Sequence, residues 1–418
     1  LDPEPRDFLT ATKRQERKLY SRLHLTLRTQ SPDMRGSTIL IVESFVGPKI
    51  EAILEVVDVL FTVFIAGPLI IIYWKATWAL IDMYIYPDDR LLSAIWTTAF
   101  GMIFGLLLSF FQEFGKTKLK PDAGKAKYFI LTRLYTCFAA VVNVAACRGV
   151  WNLLEFVLQD TRSIFMSTIA STLAVMALRT LRNVNSAPFG ITVDAAEDYF
   201  EAPTFYKTPF NLLQSSRETA LYILDCVFSV TVVGSLVVFV WRGSWALLDI
   251  FLYPHDQVKS FWTSLVVGYS LVILTFAAQA PVRWAVAKLQ GAPRLLLADV
   301  YHLISFFATV NVWRGIWGLL DVYFFPDSPK LSNWSSHIAS LVLLILLNCS
   351  NSILVRGVYI DAEEPAGDCV EFPCHYLRLF FQKERVKNRR KTLETTSAAN
   401  ARKVEEASVP LQIPEEKV

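Results

Sequence analysis

A nine-residue motif occurs four times in this chain, each time inside a long apolar stretch. It reads W-K-A-T-W-A-L-I-D at 74–82, C-R-G-V-W-N-L-L-E at 147–155, W-R-G-S-W-A-L-L-D at 241–249 and W-R-G-I-W-G-L-L-D at 313–321. In each copy a base (Lys75, Arg148, Arg242, Arg314) precedes an acid (Asp82, Glu155, Asp249, Asp321) by seven positions, with Trp78, Trp151, Trp245 or Trp317 between them. Chance does not produce this four times, so the chain carries an internal repeat. Ionisable groups inside apolar segments are costly and persist where they pair or function.

The repeat has two levels. The first and third copies are 241 − 74 = 167 residues apart, and the second and fourth 313 − 147 = 166. A larger unit holding two related motifs is therefore duplicated in tandem. Other residues follow the same register: Asp58 with Asp225, Gln112 with Gln279, Tyr135 with Tyr301, and Asp194 with Asp361. Beyond the apolar part, Glu201-x-Pro203-x-x-Tyr206 resembles Glu371-x-Pro373-x-x-Tyr376.

With 53% hydrophobic residues, the chain exceeds soluble usage, and its charges gather in the ends and a few loops. Eight apolar runs, at 53–86, 91–112, 128–158, 163–181, 221–253, 259–281, 295–325 and 334–355, each reach the roughly 20 residues that cross a bilayer. Runs of this length predict helices rather than a barrel. The odd runs are longer and must tilt, kink or protrude, with Pro68 and the Trp-rich motif as the places for a kink. The expected fold is all-α: a polytopic membrane protein with eight transmembrane helices in two tandem four-helix halves. Its organisation reads as a basic tail (1–52), a first membrane repeat (53–181), a linking loop (182–220), a second repeat (221–355) and a tail (356–418), disordered after about 393.

Basic residues set the orientation. The loops after the odd runs are short, with one base each (Arg90, Arg162, Lys259, Lys330), whereas 113–127 holds five lysines and the first 49 residues hold nine Lys or Arg. The positive-inside rule places both termini in the cytosol. Anionic inner-leaflet lipids suit the basic face, including the cluster Lys383–Lys391. Asn333-Trp334-Ser335 is a glycosylation sequon on the outer side. Residues 1–38 show no signal-peptide pattern, and Leu1 implies a native start upstream.

On a helix, seven residues are about two turns, or roughly 10 Å of rise, so base and acid share a face but lie too far apart to pair within one helix. Pairing between neighbouring repeats is expected. The eight charges read either as a neutral structural network, with Gly149, Gly243 and Gly315 allowing close helix approach, or as the lining of a substrate or ion pathway. A second polar set, Asp58, Arg133, Asp225 and Asp299, lies near the inner ends of the odd runs. It reads as interfacial charge complementing helix ends, or as a cytosolic gate or proton-accepting site.

Catalytic patterns are missing. Gly115-Lys116-Thr117 lacks the earlier glycine of a phosphate loop, and the five histidines show no metal-binding spacing. The chain is read as no enzyme, with no cofactor, no metal and no nucleic-acid partner. Cys137, Cys147, Cys226 and Cys349 read as packing residues. Cys369 and Cys374, with His375 beside them, leave a metal site or palmitoylation open. Residues 8–28 suit an interfacial amphipathic helix. Candidate partner contacts are Tyr206, Tyr376 and the chain end at Glu416 and Val418, where a free apolar C-terminus fits strand addition to a PDZ domain.

Eight spans in two halves, with a recurring W-R-G-x-W-x-L-L-D-x-x-x-x-P, resemble the fuseless family of animal membrane proteins over about 50–380. This copy departs at Lys75, and its second motif departs most, with Cys147, Glu155 and Asp160 at the Trp, Asp and Pro positions. The resemblance implies a presynaptic plasma-membrane protein that helps organise voltage-gated calcium channels and transmitter release, with channels or presynaptic scaffold proteins as partners. The alternative is a transporter or channel for an ion or small solute, since tandem repeats and midmembrane charges are its usual signature.

Overall fold

The computed structural model describes residues 48–119, 124–194, 199–208 and 216–379. The segment 8–28, the basic cluster at 383–391, Glu416, Val418 and the tail after 393 lie outside the described residues.

The described residues are helical and contain no strand. Eight helices correspond to the eight apolar runs: α1 (Ala52–Tyr84), α2 (Arg90–Phe110), α3 (Lys125–Val157), α4 (Thr161–Ala177), α5 (Ser216–Phe251), α6 (Gln257–Lys288), α7 (Gly291–Tyr323) and α8 (Pro329–Leu346). Six of them, all but α4 and α8, are long and apolar enough to cross a membrane. The other two are the shortest, at 17 and 18 residues, and carry many hydroxyls.

Helix starts follow local chemistry. Asp89, Asp160 and Asp256 each accept a hydrogen bond from the amide three residues on, capping α2, α4 and α6. The expected irregularity at Pro68 lies just upstream, as a π-turn at Thr62–Ala66. Pro68 has no amide to donate, and the wider turn accommodates that loss. The equivalent place in α5, Phe228–Val233, is also a π-turn although no proline follows it, so proline alone does not cause it.

Helices pair in a cyclic order. α2 packs on α3, α4 on α5, α6 on α7, and α8 returns to α1. The four odd helices then touch in sequence, α1 to α3, α3 to α5, α5 to α7, and α7 back to α1. The result is an inner ring of motif-bearing helices, each backed by one even helix. The two sequence halves close on each other at α8–α1 and α4–α5. Small residues allow the closest approaches. A Cβ on Gly101 would stand 2.3 Å from the backbone nitrogen of Ala146, and one on Gly268, at the matching place, 2.6 Å from that of Val312. Gly105, one turn further along α2, has ordinary space around it. Outward faces expose Ile95, Phe165, Val266 and Leu343, as expected for helices that meet lipid.

Candidate functional site

Seven residues separate base and acid on each helix, so neither can reach the other, and each turns to a neighbour. Lys75 on α1 meets Asp321 on α7 at 2.6 Å. Arg148 on α3 meets Asp82 on α1 at 2.5 Å, Arg242 on α5 meets Glu155 on α3 at 3.5 Å, and Arg314 on α7 meets Asp249 on α5 at 2.8 Å. Every base takes the acid of the preceding copy, and the first takes that of the last. The network is a closed ring of four pairs.

The even helices complete three of these pairs. Arg148 donates to Ser93 Oγ (3.0 Å) and Thr97 Oγ1 (3.1 Å) of α2. Arg314 donates to Ser260 Oγ (2.7 Å) and Ser264 Oγ (2.8 Å) of α6, and Lys75 to Asn333 Oδ1 (3.0 Å) of α8. Sequence reasoning missed these partners, yet the signal is there: Ser93 and Ser260 each stand four residues after the capping Asp. Asn333 is 5% exposed, and its Nδ2 donates to Pro329 O. The sequon asparagine is therefore engaged inside the protein rather than presented for glycosylation.

Between the bases and acids, the four motif tryptophans form a second closed ring. Trp78–Trp151, Trp151–Trp245, Trp245–Trp317 and Trp317–Trp78 have centroids 5.6, 5.8, 5.8 and 5.7 Å apart, all near perpendicular. Such edge-to-face pairs contribute about 0.5–1.5 kcal/mol each beyond area burial. A deeper set, Trp74, Trp313 and Trp241, is open where Cys147 replaces the fourth indole. Its indole N–H groups donate to Ile353 O, Ala187 O and Val184 O, in the segments that follow each half.

The inner polar set does not lie at an interface as free charge. Asp58 is fully buried and accepts from the amide of Leu377 (2.6 Å) and from Arg378 Nε (3.1 Å). Asp225, its counterpart, accepts from Thr204 Oγ1 (2.7 Å) and the amides of Tyr206 (2.9 Å) and Thr208 (3.0 Å). Each acid thus holds the Glu-x-Pro-x-x-Tyr segment that follows the opposite half. Gln112 and Gln279 join them by accepting from the amides of Ala202 and Phe372. Arg133 pairs with the buried Asp194 and donates to Ser350 Oγ (2.7 Å). At the matching position, Asp299 is buried and its Oδ1 has no hydrogen-bond partner among the described residues.

A second crossed clasp uses Asp194 and Asp361. Asp194, which follows the first half, accepts from the amides of Ser350 and Asn351 behind the second half, at 3.0 and 2.8 Å. Asp361, which follows the second half, accepts from those of Leu181 and Arg182 behind the first, at 2.7 and 2.9 Å. Burial raises the Asp361 carboxyl, and the two amides and Arg182 oppose that rise.

The two candidate tyrosines differ. Tyr376 stacks on Phe61 (4.2 Å) and donates to Leu347 O (2.6 Å). Tyr206 is 65% exposed. Cys369 and Cys374 are buried, and burial pushes the Cys374 thiol up to about 12. His375 is driven down to about 4 by burial and by Arg378 and Arg283. No metal-binding group of three or more ligands occurs among the described residues. The Fuseless family model matches the chain over residues 53–354, which spans both rings and both halves. No curated protein and no solved structure matches it.

Proposed function

We propose that this chain, which belongs to the Fuseless family, is a presynaptic multi-pass membrane protein that organises voltage-gated calcium channels at release sites. The synaptic part of this reading comes from the family resemblance. The observation that carries the organising role is the closed tryptophan ring. Four indoles, each edge-to-face with two neighbours, close a ring around the axis on which a conducting path would run. The ring charges pair with one another at 2.5–3.5 Å, which supports an organising protein over a transporter. In this reading all eight helices span the membrane, including the shorter α4 and α8, which pack against α5 and α1.

The partner surface then lies on the side of the clasps. Tyr206 is its exposed aromatic, next to the exposed pair Lys207–Glu363 (2.6 Å). Tyr206→Ala is expected to lower calcium-channel density at release sites while folding and delivery stay normal, measured by channel imaging beside surface biotinylation. Unchanged clustering removes Tyr206 from the interface, and a solute flux lost in the variant returns the transporter reading. The orientation has its own test. Cysteines at Ser328 and Glu363, both exposed, are expected to react from opposite sides of intact cells, Ser328→Cys from outside. Equal labelling of both from outside contradicts cytosolic termini.

A further inference from the structure

One of the four contacts in the inner ring is built differently from the other three. At the α3–α5 seam, Arg242 and Glu155 stand 3.5 Å apart, against 2.5–2.8 Å at the other pairs. The Arg242 side chain is 15% exposed, against 3–6% for the other bases. The pairing atom is its buried Nε, which makes no hydrogen bond among the described residues.

The neighbouring positions depart in the same sense. Register with the capping aspartates places Ile164 where α2 and α6 have Ser93 and Ser260, so the first of the two hydroxyls that hold Arg148 and Arg314 has no counterpart behind Arg242, while Thr168, in the place of Thr97 and Ser264, donates to Ile164 O. Cys147 opens the deeper tryptophan set at this seam. The loop joining α3 to α4 also has two residues fewer between the helix ends than the other three, from Leu158 to Asp160 rather than from Ile85 to Asp89. These are separate sequence changes, and they converge on one contact.

We propose that the ring is built to open at the α3–α5 seam, with the other three seams acting as a rigid frame. Local opening starts where the fewest polar groups are satisfied, here against the apolar packing of Val150 and Leu154 on Val238. It separates Arg242 from Glu155 and Trp151 from Trp245, and it uncovers the half-buried Cys147 thiol. The inference does not depend on the organising role, because it rests on the ring geometry alone.

Cys147 is a native reporter. The full chain in lipid nanodiscs is treated with a membrane-permeant maleimide, and modification of Cys147 is followed by peptide mass. Arg242→Gln is expected to speed it about fivefold, the change in an opening equilibrium when one partly solvated ion pair is lost. Ile164→Thr, which supplies a hydroxyl and keeps the branched shape, is expected to slow it. Ser260→Ala removes one hydroxyl from Arg314 at a different seam and is expected to leave the rate within about twofold of wild type. Equal acceleration by Arg242→Gln and Ser260→Ala overturns the proposal, as does a Cys147 that reacts in none of the variants. If Arg242→Gln fails to fold, the Ile164→Thr rate decides alone, and no slowing counts against the seam.

Discussion

Asp249→Ala is expected to destabilise the protein by about 3–5 kcal/mol, the cost of breaking a buried ion pair from one side. The carboxylate itself is half-exposed, but its partner is not: the side chains of Arg314 and Asp249 are 3% and 51% exposed. Removing the acid leaves a guanidinium buried with two serine hydroxyls and no counter-charge. Removing the base instead leaves an acid that water can reach, so Arg314→Met is expected to cost less than Asp249→Ala. The double variant is expected to recover part of the loss, because an apolar side chain then replaces the stranded charge. Arg242→Ala is expected to cost only about 1 kcal/mol, the upper range for a solvated pair. Thermal unfolding of the purified variants in one detergent orders them. An Asp249→Ala midpoint no lower than that of Arg242→Ala shows that burial does not set the ranking.

Asp194→Ala is the second large effect, again about 3–5 kcal/mol. Its fully buried carboxylate accepts from Arg133, from the amides of Ser350 and Asn351, and from Ser350 Oγ. The variant strands a cation and two amides together, and a buried donor without a partner carries its full desolvation cost. The loss is also local. The segment after the second half depends on this carboxylate, so protease cleavage within 348–361 is expected to rise well before the helices unfold. Asp361→Ala is expected to expose the matching turn at 181–184 instead. Cleavage rising equally at both places in either variant denies that the two clasps act separately.

The charges, the repeat and their covalent spacing were legible in the chain, and so was the need to pair between repeats. Seven residues of helix hold a base and an acid too far apart to meet, whatever surrounds them. The matched residues outside the motif were also visible, but not their tasks. Asp58 and Asp225 read as helix-end polarity, and Gln112 and Gln279 only as matched positions; all four prove to be acceptors for backbone amides of other segments. Nothing local predicts this for Asp58, because its donor Leu377 is 319 residues away. The weakness of the second copy could be suspected from Cys147 and Glu155, whereas the missing hydroxyl at Ile164 gains meaning only once α4 is known to back α5.

The sequence by itself determined the helices, their polarity pattern and the four equivalent charge sites, since these follow from periodicity and composition along one segment. The order of the ring was decided by tertiary structure. All eight helices present apolar faces, so hydropathy cannot choose which neighbours touch. Close backbone approach at Gly101 and Gly268 and the serines that complete Arg148 and Arg314 mark the even–odd pairs. Closure of α8 onto α1 then hands Lys75 the acid of the last copy rather than the next one.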